Sequence, residues 1–168
     1  LYRERMPLEA LAREVASVQQ PEAEKKQIDL ITDLPDEPLN VFIDEQRITQ
    51  VISNLISNAI NYTSEGGSIT VSAERLPASE AHPHGAARLH VRDTGIGIPS
   101  EMLVNVFEPF FRTNEQVASG TGLGLTIARE IILLHEGSID VASEQGQGSD
   151  FFITLDLVSD DDAETPEN

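Results

Sequence analysis

The stretch Gln50-Val51-Ile52-Ser53-Asn54-Leu55-Ile56-Ser57-Asn58-Ala59-Ile60-Asn61-Tyr62 carries two stripes at once. Ile48, Val51, Ile52, Leu55, Ile56, Ala59 and Ile60 recur at the spacing of one helix face, which predicts a helix over 45–62 with one buried side. At about 100° per residue, Asn54, Asn58 and Asn61 fall on a second line beside the apolar one. Asn is a poor helix former because its amide competes with the backbone for hydrogen bonds. Three such amides at the rim of a buried face therefore need a reason outside the helix.

Upstream of this helix, residues 28–34 and 39–44 read as short strands divided by the breaker Pro35-Asp36-Glu37-Pro38. Residues 1–18 read as an amphipathic helix through Leu8, Leu11, Val15 and Val18, closed by Pro21 and too short to make a core alone. Downstream, 68–76 alternates as a half-buried strand, and a polar insert at 77–87 leads to a partner strand over 88–93. A short helix at 100–106, an irregular run at 107–121 and a second long helix over 123–136 follow. The chain then reads as a hairpin, 138–144 and 150–157, turned at Gln145-Gly146-Gln147-Gly148-Ser149. Hairpin strands whose helices must all cover one face predict an α+β two-layer sandwich, a mixed and mostly antiparallel sheet under one layer of helices.

Composition sets the outer bounds. With 168 residues, 39% of them hydrophobic, the chain has apolar material for one core. Eleven basic against 29 acidic residues leave a net charge of −18, which argues against a binder of nucleic-acid phosphates. Lys25 and Lys26 are the only lysines, so no lysine-rich helix is available to lie on a membrane. There is no cysteine, hence no disulfide or thiolate chemistry. No apolar run approaches the ~20 residues that span a bilayer. The stretch 156–168 holds six acids and no base and reads as disordered.

Chemistry enters through four features in fixed order. They are the Asn line, Asp93-x-Gly95-x-Gly97, Gly120-Thr121-Gly122-Leu123-Gly124 opening a helix, and Gly146-x-Gly148-Ser149 in a hairpin. The second glycine run is not a dinucleotide fingerprint, because Thr113 to Ser119 before it are polar and unlike a strand. Glycines ahead of a helix let backbone N–H groups approach an anion at the positive helix end. A side-chain amide oxygen is a hard ligand suited to Mg²⁺. Asp93, leaving a strand in apolar surroundings, needs a hydrogen-bond donor such as an exocyclic amine. Together these point to a nucleotide.

In this order the motifs resemble the ATP-binding catalytic domain of two-component sensor histidine kinases, over roughly residues 25–157. That superfamily includes DNA gyrase, the 90-kDa heat-shock chaperone and MutL-type repair proteins. The resemblance assigns an N-box at 50–63, a first Gly box from Asp93 to Ile98, a Phe box from Phe107 to Arg112, and a second Gly box from Gly120 to Leu125. It implies ATP and Mg²⁺ as ligands. Asn58 would coordinate the Mg²⁺ that bridges the phosphates, and Asn54 would line the same site. Asp93 would read the adenine amine, helped by Ser149, with Tyr62 and Ile98 packed on the base and Gly95 and Gly97 shaping the turn. Residues 107–121 would form a lid, with Arg112 its one cation and a catalytic contact. Gly122, Leu123, Gly124 and Leu125 would donate backbone N–H groups, alongside Gly120 and Thr121.

The sequence departs from the family pattern twice. Asn61 stands where a basic residue usually touches phosphate, and Ser149 replaces the commoner Thr. Asn54 stands where the gyrase and chaperone branches carry a general-base Glu. An amide cannot take a proton, so the chain is expected to hydrolyse ATP poorly and to reserve the γ-phosphoryl group for another acceptor. That acceptor is expected on a separate helical domain: His82, His84 and His90 lack the acidic neighbour of a phosphoacceptor helix, and His135, though followed by Glu136, stands at the end of the second long helix.

The implied organisation is the end of a preceding dimerisation-domain helix or linker at 1–20, the catalytic domain at 21–158 and an acidic tail at 159–168. The implied partners are the helical dimerisation and phosphoacceptor domain and a response regulator, with no nucleic acid, no direct membrane contact by this domain, and a cytoplasmic location. Three other readings stay open: a nucleotide-sensing interaction module without transfer activity, an anti-sigma-factor serine kinase and a gyrase-like ATPase. Phe107, Phe110 and Phe111 read either as core or as a docking surface, and the histidines as solvated loop or satisfied surface groups.

Overall fold

The computed structural model describes residues 1–109 and 123–159. The expectations for Phe110, Phe111, Arg112, Gly120, Thr121 and Gly122, and for the acidic tail beyond Ser159, lie outside the described residues. The described chain runs β1 (Glu4–Pro7), α1 (Leu8–Lys25), β2 (Asp29–Asp33), β3 (Asn40–Ile43), α2 (Glu45–Tyr62), β4 (Ser68–Leu76) and β5 (Ala86–Asp93). A 3-10 helix (Ser100–Asn105), α3 (Gly124–Leu134), β6 (Ser138–Glu144) and β7 (Gly148–Asp156) follow.

Five strands form one sheet in the order β2-β4-β5-β7-β6, while β1 and β3 make a separate antiparallel pair. Only β2 and β4 run parallel; the other pairs of the large sheet are antiparallel. Alternation along β5 sends Leu89, Val91 and Asp93 into the core and leaves Arg92 exposed. Ile52, Leu55 and Ile56 of α2 are buried over Val71, Leu89 and Ile153 of the sheet in one apolar cluster. The expected two-layer α+β sandwich is the observed one.

Helix α2 follows its apolar stripe over the full expected span. Asp44 caps it, Oδ1 accepting from the Arg47 amide at 3.2 Å, while Oδ2 accepts from the Tyr2 amide at 3.0 Å. The Tyr2 bond is the main cause holding the Asp44 carboxyl below its ordinary value of 3.8; desolvation opposes it and the Arg47 bond adds to it. A lowered acid stabilises the fold above its unfolded value, and that contribution is lost as pH falls through the folded one.

The amino-terminal helix differs from expectation. It starts at Leu8, after strand β1, and runs through Pro21 to Lys25. An internal proline costs a helix about 3 kcal/mol. Here Ala23, beyond it, is fully buried, and Leu8, Leu11, Ala12, Val15 and Ala16 join the same core as α2. Burial of both flanks offsets the local penalty. Within the stretch 1–20, read as the end of a preceding helix or linker, it is Leu8, Leu11, Ala12, Val15 and Ala16 that pack into this core.

Of the histidines, His135 departs from the expected solvated or satisfied surface group. His135 is 7% exposed. Its Nδ1 donates to the Ile131 carbonyl at 2.7 Å and its Nε2 accepts from the Asp44 amide at 3.0 Å, which fixes one tautomer and ties the end of α3 to the start of α2. His90 bonds Asp150 at 3.0 Å and lies against Phe152, and His82 bonds Asp156. His135→Ala should strip the buried Asp44 amide of its partner. It is expected to cost about 1–3 kcal/mol in urea unfolding, where an unchanged midpoint would mean the bond carries no weight.

Candidate nucleotide site

Asn54, Asn58 and Asn61 all sit half-buried on α2, as their spacing requires. The Asn54 amide donates from Nδ2 to the Gly124 carbonyl at 3.2 Å, across 70 residues of sequence. A carbonyl only accepts, so the NH₂ end of the amide is committed and Oδ1 is the end left for a ligand. None of the hydrogen bonds among the described residues engages the Asn58 amide. Gly124 opens α3, and no side chain among the described residues caps that helix. Within the described residues the Ile127 N–H reaches the Leu123 carbonyl at 2.9 Å, and the N–H groups of the turn before it lie at the positive end of the helix. Leu123, Gly124 and Leu125 there are half-buried.

The other end of the site gathers around Asp93, which is 5% exposed. Its Oδ1 accepts from the Gly95 amide at 2.8 Å and the Ser149 amide at 3.3 Å. Burial pushes the Asp93 carboxyl above its ordinary value; the two N–H bonds pull against that, and neighbouring Asp150 pushes it further up. A side chain at Gly95 would put Cβ 2.2 Å from the Tyr62 carbonyl, so only glycine lets the turn close onto the end of α2. Tyr62 is half-buried, and its carbonyl accepts from the Ile96 amide at 3.3 Å. Ile98 is buried and Ser149 is 7% exposed, directly across the β5–β7 pair from Asp93.

The predicted residues thus fall into two groups joined by α2. Asn54 meets Gly124 at one end, and at the other the Tyr62 carbonyl meets the turn at Gly95 and Ile96, where Asp93 holds the Gly95 and Ser149 amides. Eight residues of helix separate Asn54 from Tyr62, about 12 Å. Phe107, read as core or docking surface, packs edge-on to Phe151 with ring centroids 6.2 Å apart, and its carbonyl accepts from the Thr126 hydroxyl. Among the described residues no group of three His, Cys, Asp or Glu side chains is arranged to hold a metal.

Two residues escaped the sequence. Lys26 Nζ donates to the Ile60 and Asn61 carbonyls at 2.8 and 3.2 Å, placing a cation on the negative end of α2 beside the neutral Asn61. Ser143 Oγ accepts from the Ile98 amide at 2.8 Å and so joins the first glycine turn to the hairpin. No spacing rule reaches across those intervals.

The profile of the family described as histidine kinase-, DNA gyrase B- and HSP90-like ATPase matches residues 43–159, and the chain belongs to that family. Within it, the likeness is to catalytic domains of histidine kinases. The adaptive-response sensory kinase SasA of Crocosphaera subtropica is 42% identical over 149 residues, 88% of this chain and 37% of that kinase. The catalytic domain of histidine kinase ThkA matches with a TM-score of 0.79 and 34% identity, covering 94% of this chain and 97% of that one. ShkA, solved full-length in complex with AMPPNP, matches with a TM-score of 0.80 at 28% identity, over 95% of this chain and 32% of ShkA. The chain therefore spans well under half the length of the SasA relative. No helix among the described residues is long and apolar enough to cross a membrane.

Proposed function

We propose that this chain binds MgATP between α2 and the start of α3 and positions its γ-phosphoryl group for transfer to a histidine on a separate helical domain. The observation that carries the reading is the Asn54–Gly124 hydrogen bond, which joins the amide line to the start of α3. The donors fit the ligand. Amide oxygens are hard ligands, and Mg²⁺ needs few protein groups because phosphate and water supply the rest. Asn58 would hold the ion and Asn54 the adjoining phosphates. The N–H groups of Leu123, Gly124 and Leu125 would receive negative charge, with Gly120, Thr121, Gly122 and Arg112 completing that end. Asp93 would take the adenine amine beside Ser149, Tyr62 and Ile98.

Bound MgATP supplies the phosphoryl group and a charge-neutralising cation. The chain's own residues supply position and electrostatics, which phosphoryl transfer chiefly requires. They offer no general base at Asn54, so water is a poor acceptor. In the parent protein, a response regulator would take the phosphoryl group next, the domain would work in the cytoplasm, and an upstream dimerisation domain would supply the histidine.

The test is titration of the chain with MgATP, paired with γ-labelled ATP. Binding without label on the chain is expected, followed by acid-labile phosphohistidine once a cognate helical domain is added in trans. Asn58→Ala should weaken binding in Mg²⁺ while leaving Mg²⁺-free binding unchanged. Label on a histidine of this chain, or no heat of binding at all, would remove the reading. Binding with no label on the added domain would favour a nucleotide-sensing module.

A further inference from the structure

Asp93, Ser149 and Ser143 stand in one row across β5, β7 and β6, each directly opposite the next. Ser143 Oγ has three partners: the Ile98 amide at 2.8 Å, the Gly148 carbonyl at 3.0 Å and Ser149 Oγ at 2.7 Å. A serine hydroxyl has one proton to give and two lone pairs to receive with. The Ile98 N–H can only donate, so it takes one lone pair. The Gly148 carbonyl can only accept, so it takes the Ser143 proton. The bond between the two hydroxyls must then run from Ser149 to Ser143. Ser149 has no proton left, and its own amide N–H is already given to Asp93.

We propose that Ser143 is a specificity-determining positioning residue: by taking the Ser149 proton it makes Ser149 a pure acceptor beside the Asp93 carboxylate. Two acceptors side by side match an exocyclic amine, which brings two protons. They repel a purine that carries a carbonyl at the same ring position. This rests on the reading that Asp93 and Ser149 face the base of a nucleotide. Without Ser143, the Ser149 hydroxyl is free to rotate and donate to such a carbonyl.

Inosine triphosphate is the fitting probe, because it replaces the adenine amine with a carbonyl and leaves the ribose and phosphates unchanged. Calorimetric affinities for MgATP and MgITP are measured on the wild type, Ser143→Ala, Ser143→Thr and Ser149→Ala. The wild type should prefer ATP. Ser143→Ala should shrink the ATP/ITP ratio about tenfold, the weight of one hydrogen bond, chiefly by improving ITP. Ser143→Thr, which keeps the hydroxyl, should restore the ratio. In a Ser149→Ala background, adding Ser143→Ala should change the ratio no further. Should the alanine variant not fold, Ser143→Cys, close in volume but a weak acceptor, is read the same way. Equal weakening of both nucleotides in Ser143→Ala would overturn the proposal, because a merely structural role predicts that. A wild type that binds ATP and ITP alike overturns it while leaving nucleotide binding intact. A wild type that binds neither removes the site reading along with it.

Discussion

Asp93→Asn is expected to lower ATP affinity about 10- to 100-fold while leaving the nucleotide-free fold at least as stable as before. The two effects have opposite signs for one reason. Desolvation raises the Asp93 carboxyl above 3.8, so the folded state binds that proton more tightly than the unfolded chain does. Its favourable contribution is complete below the unfolded value and is lost as pH climbs through the raised folded one. At neutral pH the ionised group is a burden on the apo fold. Asparagine keeps the shape and still offers an oxygen to the Gly95 and Ser149 amides that now bond Oδ1. The far end of the group changes from acceptor to donor, and a hydrogen bond to a charged group, ~1.5–3 kcal/mol, is forfeited. Calorimetry with ATP and GTP and an apo melt decide it. Equal losses for both nucleotides, or a marked drop in apo stability, would contradict the assignment.

Gly97→Ala should be the most damaging small substitution in the first glycine turn. Gly97 has φ +70°, where an L side chain is strained, and an added Cβ would lie 2.1 Å from the Glu144 carbonyl. The left-handed conformation costs about 1–2 kcal/mol and overpacking about 1–3 kcal/mol. The clash falls on backbone, which cannot swing aside. Together, roughly 2–5 kcal/mol should lower Tm by about 4–20 °C for a domain of this size, with nucleotide binding weakened because the turn carries Ile98. A melt within 1–2 °C of wild type, on the order of error, would show that the hairpin yields freely.

Helix α2 was legible almost to the residue because periodicity is a property of one segment, and so was the alternation of β4. The glycine runs and Asp93 were legible as chemistry because turns and buried carboxylates make strong local demands. Pro21 misled, since its penalty is written in the sequence while the burial of Ala23 that outweighs it is set by distant residues. Strand β1 escaped for the same reason: its partner is β3, some 36 residues further on, and Glu4-Arg5-Met6-Pro7 has no alternation of its own. The parallel pairing of β2 with β4 is equally silent in either strand. Ser143 and His135 act through single bonds to groups dozens of residues away, and no local pattern marks such a residue in advance.

The strand order carries a consequence for how the molecule is made. Strand β7 lies between β5 and β6, so β6 has no strand to pair with until the following one arrives. On a ribosome, where synthesis proceeds from the amino terminus, β2, β4 and β5 emerge as a partial sheet whose β5 edge stays open until the last strand is out. Nascent chains stalled before residue 148 should therefore present that edge to chaperones, and release of the final hairpin should close it in one cooperative step.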